Sequence, residues 1–230
     1  MSEQVRKMFA SIASDYDRVN TVLSFGIHHW WRYQPVKRSA AKNGDHVLDC
    51  ATGTGDLALT FKKKVGVEGY VMGTDFCAEM LGPAPIKARE QNLDVDFEVA
   101  DAMSLPYEAN KFDIASISFG IRNVDEPATA LKEMARVVKP GGRVMVLEFG
   151  QAEGFMKWPY LFYQKYVMPI IGGWISGNKE AYTYLPETSK AFPAGDTFLT
   201  IMRKTNSFKD VSYKKLNSGI AYVYTGVVGE

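Results

Sequence analysis

Cysteine is scarce in this chain. Cys50 and Cys77 stand alone, with no metal-ligand spacing around either. That excludes a disulfide framework. With no apolar leader after Met1, it fits reduced thiols in a cytoplasmic protein. No charge of one sign prevails: 27 basic residues face 26 acidic ones, a formal net charge of +1. A dedicated nucleic-acid binder carries a basic excess, so no nucleic-acid partner is expected. No long apolar run occurs either. The richest stretch, 155–176, is broken by Lys157, Gln164, Lys165, two prolines and two adjacent glycines, which excludes a transmembrane helix. Repeats and low-complexity segments are lacking, which excludes a solenoid. What remains is an ordinary globular composition, 46% apolar and 23% charged over 230 residues, long enough to bury a good core and sized for one domain.

The order along the chain is regular. Residues 1–43 read as amphipathic helix with an aromatic cluster, "HHWWRYQ". "HVLDCA" (46–51), "YVMGTDF" (70–76), "VDFEVADA" (95–102), "FDIASISFG" (112–120) and "GRVMVLEFG" (142–150) read as strands. Helical patterns at 56–64 and 126–138 lie between them, the second ended by "PGG", and Pro83 and Pro85 limit a shorter helix. Strands alternating with helices give parallel βαβ units in an open sheet covered on both faces. After 150 the rhythm breaks. An aromatic, helical segment spans 151–190, a helix follows near 196–205, and "FKDVSYKKLN" with "GIAYVYTGVV" reads as a closing hairpin joined at Ser218–Gly219.

Chemistry concentrates at "LDCATGTGD" (48–56), a strand–turn–helix junction. Gly53-x-Gly55-x-x-Ala58 with Asp75 downstream fits a dinucleotide fingerprint, and the lack of the P-loop lysine excludes a nucleoside triphosphate. Asp49 and Asp56 flank the turn, however, and would repel a pyrophosphate at the helix start. They suit a ligand carrying an ammonium and a sulfonium, which describes S-adenosylmethionine. Asp75 stands ready for ribose hydroxyls, and Asp101 in "ADAMSLP" for an adenine amine. Ligands of open α/β sheets bind beyond the carboxyl ends of the strands, where all three acids fall.

"LDCATGTGD", "GTD", "ADAMSLP" and "RVVKPGGRVMVLEF" resemble the class I S-adenosylmethionine-dependent methyltransferases. "YDRVNTVLSFGIHHWWR", "SFGIRNV" and "YTYLPETSKAFP" narrow the resemblance, over nearly the whole chain, to the quinone C-methyltransferases. These act on demethylmenaquinone or 2-polyprenyl-6-methoxy-benzoquinol. The resemblance implies a Rossmann-like α/β fold: a seven-stranded, mostly parallel sheet with an antiparallel last strand and helices on both faces. It implies one methyltransferase domain over 1–230, with a helical lid at 1–43 and a helical insertion at 151–190. It also implies that Thr54, Asp75, Asp101, Ala102 and Ser118 touch the cofactor, while Gly53 and Gly55 let the backbone approach it. The chain departs from the family pattern at "MLGPAPIKARE", which has two prolines in a normally unbroken helix, and at "TNSFKDV", which replaces an Ala-Gly-Phe turn.

The implied chemistry is methyl transfer to a ring carbon of a reduced, polyprenylated quinol, since the quinone is too electron-poor to attack. Demethylmenaquinol is the expected substrate and the methoxybenzoquinol the alternative. A nicotinamide-dependent oxidoreductase, a non-catalytic S-adenosylmethionine-binding subunit and another aromatic or lipid acceptor stay open. Arg122 is read as the electrostatic partner of the phenolate, directly or through a water. Its bland reading is a salt bridge to Asp125 or Glu126. Asn123 orients the ring hydroxyl, and Tyr16, Asp17 and Asn20 close over the cofactor. His28 and His29 read as packing or capping residues, and with no third ligand at metal spacing no metal is expected. The aromatic segment 151–190 either covers the core or offers a groove for the tail with peripheral contact to a bilayer. A homodimer is compatible with all of this.

Overall fold

The structure, a computed structural model, describes residues 3–176 and 179–229, with the side chains of 176, 179–183 and 185 left aside. Tyr182, Thr183 and Leu185 of "YTYLPETSKAFP" therefore lie outside the described side chains. Seven strands form one sheet: β1 (His46–Cys50), β2 (Tyr70–Asp75), β3 (Asp96–Val99), β4 (Phe112–Ser118), β5 (Val138–Phe149), β6 (Phe208–Leu216) and β7 (Ala221–Val228). Their order is β3-β2-β1-β4-β5-β7-β6. β1 to β5 pair in parallel, and β7 runs antiparallel between β5 and β6. The expected sheet is thus the observed one. Its central strands are apolar and sealed from solvent, as strands covered on both faces must be. The switch point lies between β1 and β4, and the turns after both strands open on the same edge.

Three boundaries differ from the sequence reading. The third strand stops at Val99, so Asp101 and Ala102 sit in the turn beyond it, where Asp101 bridges to Ser104. "PGG" does not separate helix from strand. The helix α7 (Pro127–Val137; α1 to α6 are placed below) runs straight into β5, and Pro140, Gly141 and Gly142 bulge within that strand. Phe112 pairs with Val138 and Ile114 already with Arg143, which is where the bulge is absorbed. The predicted hairpin joint is a short 3₁₀ turn, Asn217–Gly219, whose three residues all have positive φ.

Helices fill the rest. α1 (Glu3–Ile12), α2 (Tyr16–Leu23) and α3 (Ile27–Arg38) precede the sheet, and α4 (Asp56–Val65) follows the glycine turn. α5 (Ala78–Leu81) and α6 (Pro83–Glu90) divide at Gly82. Pro83 takes the first-turn position, where its missing N–H costs nothing. After β5 come α8 (Lys157–Phe162), a π-turn (Tyr163–Val167), α9 (Met168–Ser176), α10 (Lys179–Ala191) and α11 (Asp196–Lys204). α2 and α9 pack together through Val19, Leu23 and Met168.

At the switch point the backbone just beyond β4 comes very close to Ala51, the residue that follows β1 and leads into the glycine turn. A Cβ on Gly120 would stand 2.5 Å from the Cβ of Ala51, although Gly120 itself has an ordinary negative φ. Gly120→Ala therefore acts through crowding alone. It should cost about 1–3 kcal/mol in urea unfolding and weaken binding at the turn. A neutral result would mean that the two turns are not held in this register.

Candidate functional site

Two cavities adjoin at the carboxyl edge of the sheet. The first lies over the turns after β1, β2, β3 and β4 and is lined by Gly53, Asp75, Asp101, Ala102, Ser118 and Asn123, among others. The second lies under the N-terminal helices and α8–α10. It is lined by Tyr16, Asn20, His28, Arg32, Arg122 and Tyr184 with further aromatic and aliphatic residues. Phe9, Tyr16 and Phe119 line both. Phe119 has φ +56, rare for a bulky residue, so the chain holds a strained conformation where the two spaces meet.

The residues expected at the cofactor divide into two groups. Gly53, Asp75, Asp101, Ala102 and Ser118 face the first cavity. Asp75 accepts the Gly53 N–H at 2.8 Å and the Cys77 N–H at 2.9 Å, and burial raises its pKa. The Oγ of Ser118 is buried without a hydrogen-bond partner among the described residues, an unmet donor beside the cavity. Asp49, Thr54 and Gly55 instead build the turn from behind. Asp49 is sealed in the sheet and accepts from Thr52 Oγ1 and Ser116 Oγ, each at 2.6 Å. Gly55 needs its φ of +86 and its bare Cα because Ala84 and Phe97 press on it. Thr54 Oγ1 donates to Asp17 at 2.6 Å.

Asp17 also receives Lys87 Nζ at 2.8 Å, so the first turn of α2 is tied to both the glycine turn and α6. Lys87 reaches Asp56 as well, and Arg32 Nη1 stands 3.7 Å from the same carboxylate. Burial alone would raise the Asp56 pKa, but Arg32 and Lys87 outweigh it and the net direction is down. From the sequence alone Asp56 reads as a free negative charge near the ligand; in the structure Arg32 and Lys87 neutralise it. Near it the fold also gathers His28 and His29, ligand-type groups that spacing had not joined to a third. A metal ion there would face Arg32 and Lys87.

Arg122 and Asn123 lie on the short 3₁₀ turn after β4 (Ile121–Asn123). The Arg122 side chain is 5% exposed. Its Nη1 donates to Glu148 Oε1 and to the Phe119 carbonyl, both at 2.6 Å, and its Nε is buried without a hydrogen-bond partner among the described residues. Arg122 is thus in a salt bridge, but with Glu148 of β5 rather than with Asp125 or Glu126. Burial pushes the Glu148 pKa up, with Arg122 opposing. Asn123 Oδ1 accepts from Tyr184 at 3.1 Å, which joins the rims of the two cavities. Burial, with Arg32 and His29 nearby, drops His28 to about 3, so its ring is neutral at cellular pH, and its Nδ1 meets Ser24 Oγ.

Sequence reasoning missed Arg32, Phe119, Glu148, Tyr184 and Lys87. An acid inside the apolar run "VMVLEF" was a usable signal, because a buried carboxylate needs a partner. Arg32 and Tyr184 lie inside the motifs "YDRVNTVLSFGIHHWWR" and "YTYLPETSKAFP", which marked their segments, but only the fold brings these two side chains to the cavity.

The chain has counterparts among known proteins. The model of the ubiE/COQ5 methyltransferase family matches residues 1–228. The chain is 56% identical over 230 residues to the ubiquinone/menaquinone biosynthesis C-methyltransferase UbiE of Bdellovibrio bacteriovorus, covering 98% of this chain and 96% of that one. It is 42% identical over 221 residues to the demethylmenaquinone methyltransferase of Thermus thermophilus, covering 95% and 99%. Among solved structures, an S-adenosylmethionine-dependent methyltransferase of Aquifex aeolicus aligns with a TM-score of 0.62 at 20% identity, over 86% of this chain and 89% of that one. The phosphoethanolamine N-methyltransferase 2 of Haemonchus contortus, in complex with S-adenosyl-L-methionine, aligns at 0.63 and 15% identity, over 95% and 60%. At these identities the likeness is one of fold.

Asp49 gives the site a measurable signature. Burial raises it from an ordinary 3.8 to about 6. Between those values the folded chain keeps a proton that the unfolded chain has released, so stability falls as pH rises from about 4 to about 6. The total is about 3 kcal/mol. In urea unfolding across pH 4–7, the difference between wild type and Asp49→Asn should change by that amount. A pH-independent difference would show that Asp49 titrates normally.

Proposed function

The chain belongs to the ubiE/COQ5 methyltransferase family and is an S-adenosylmethionine-dependent C-methyltransferase of quinone biosynthesis, and we propose that its substrate is demethylmenaquinol. The observation that carries a quinol reading is Arg122: a buried guanidinium with an unmet Nε beside an apolar cavity that adjoins the cofactor space. The naphthoquinol is preferred over the benzoquinol because the names of both relatives given above include menaquinone and only one includes ubiquinone. 2-Polyprenyl-6-methoxy-1,4-benzoquinol is the second reading.

S-adenosylmethionine, when bound, supplies a methyl group already activated on a sulfonium. The Ser118 hydroxyl fits such a ligand as an unmet donor. On this reading Asp75 meets the ribose hydroxyls and Asp101 an adenine amine, while Gly53 lets the ligand approach the turn. Asp49, Thr54 and Gly55 set the shape of that turn. The chain then has to align a ring carbon with the methyl group and favour the phenolate. An arginine stays charged, so Arg122, anchored by Glu148, acts as the donor that stabilises the oxyanion. Asn123, held by Tyr184, orients the ring hydroxyl. Tyr16, at both cavities, and Asn20, at the second, cover the ligands and exclude water, while Asp17 anchors their helix through Thr54 and Lys87. After transfer the ring carbon gives up its proton and aromaticity returns.

The same reading puts the enzyme at a bilayer surface. No helix among the described residues is long and apolar enough to cross one. The segment α8–α9 is nonetheless apolar on both faces. Tyr160, Tyr163 and Met168 face the second cavity, while Phe155, Trp158, Phe162, Tyr166, Ile170 and Trp174 are exposed. The π-turn supports this, because its wider winding offsets the drift of a four-residue spacing and keeps the outer stripe on one side. From 154 to 179 the chain has three lysines and no acid, which suits anionic headgroups.

Two experiments test the proposal. With methyl-labelled S-adenosylmethionine, label should appear on a ring carbon of dithionite-reduced demethylmenaquinol, more slowly on the methoxybenzoquinol, and not on oxidised samples. Arg122→Lys should lower kcat by about a hundredfold or more. No label with either quinol, despite cofactor binding, would sink the quinol reading. In vesicle flotation, the protein should rise with anionic lipid and stay down with neutral lipid. Trp158→Ser with Trp174→Ser should abolish the rise yet spare methylation of a short-tailed quinol. Unchanged flotation of that variant would remove the stripe from the membrane reading.

A further inference from the structure

The second cavity holds two guanidinium groups, and the function so far uses one. Arg32, on α3, is 8% exposed and lines the cavity opposite α8–α10. Its guanidinium carbon lies 5.9 Å from the centre of the Phe119 ring. Phe119 in turn packs on Phe149 with centroids 4.4 Å apart. Over the Phe149 ring, at 5.3 Å, sits the guanidinium of Arg122. An aromatic pair is thus bracketed by two buried cations on one cavity wall.

Arg32 is placed but not satisfied. Asp56 stands behind it at 3.7 Å, an ion pair beyond hydrogen-bond reach, and Nη1 is buried with no hydrogen-bond partner among the described residues. A buried donor of this kind loses its water without a replacement, which costs stability unless a ligand completes it. His28 beside it is neutral and does not compete for an anionic ligand.

A 1,4-quinol carries two oxygens on opposite sides of its ring. Taking the quinol reading as given, we infer that Arg32 is a substrate-binding residue that donates to the ring oxygen opposite the one held by Arg122. The apolar wall of Phe119 and Phe149 then lies along the ring between the two donors. This arrangement selects para-dioxygenated rings over monophenols of the same size. It also stops the ring from turning in its own plane, because donors at both oxygens fix the axis between them, while the Phe119–Phe149 wall limits rotation about that axis.

The test measures binding to the enzyme loaded with S-adenosylhomocysteine, by calorimetry. Two short-tailed ligands are used: the demethylated naphthoquinol kept reduced, and its analogue with hydrogen in place of the hydroxyl far from the methylated carbon. Arg32→Gln should weaken the quinol by about tenfold to a hundredfold and leave the analogue unchanged. Arg32→Lys should recover part of the loss, and should be used alone if the glutamine variant melts early. Equal weakening of both ligands would assign Arg32 a purely structural role through Asp56, and no weakening of either would remove it from the site. Both outcomes overturn the inference while leaving the quinol reading intact. A wild-type enzyme that binds S-adenosylhomocysteine but neither ring would overturn both.

Discussion

The carboxylate of Asp75 holds two turns that would otherwise be independent. One oxygen takes the N–H of Gly53 from the turn after β1, and the other takes the N–H of Cys77 after β2. Backbone amides at such turns have no partner within the sheet, so a single side chain fixes the spacing of two strand ends. Asp49 does the same from below, through hydroxyls of Thr52 and Ser116, and ties β1 to β4. Once these ends are fixed, so is the floor of the first cavity. The Ser118–Phe119–Gly120 segment can then take its strained path over it.

Charge organises the second layer. Lys87 joins Asp17 to Asp56, and Thr54 bonds to Asp17 in turn. The N-terminal helices are therefore anchored on the very turn that shapes the cofactor space. The two buried ion pairs, Arg122–Glu148 and Arg32–Asp56, are weak evidence of stability, since desolvating charges offsets most of their attraction. Their value is positional. Each carboxylate holds a guanidinium against a cavity that is otherwise aromatic and aliphatic.

Much of the scaffold was legible in the sequence because buried parallel strands are near-continuous apolar runs and the glycine turn has a fixed place between strand and helix. The third strand was overextended because it is short and half-exposed, so its pattern fades into the following turn. "PGG" misled because turn chemistry reads alike in a loop and in a bulge. At the site, the acids at three strand ends were visible, but their division of labour was not. Asp49 sits below the turn and Asp75 beside it, a difference of side-chain direction that spacing alone does not carry. The cations were less legible still. Arg32 and Lys87 lie 55 positions apart, and only α3 packing on α4, with α6 across the turn, brings both to Asp56.

The place of β7 between β5 and β6 bears on how the molecule forms. Arg143 pairs with Val227 and Phe149 with Ala221, so β5 finds its second neighbour more than 70 residues further along the chain. Contacts of that span form late, because the entropy of closing the loop precedes any gain from the pairing. Until the hairpin docks, β5 presents an open edge carrying Val144, Val146 and Leu147, all destined for the interior. An exposed edge of that composition is a template for pairing with other chains. The terminal hairpin is therefore a guard against self-association during folding as well as a part of the finished sheet.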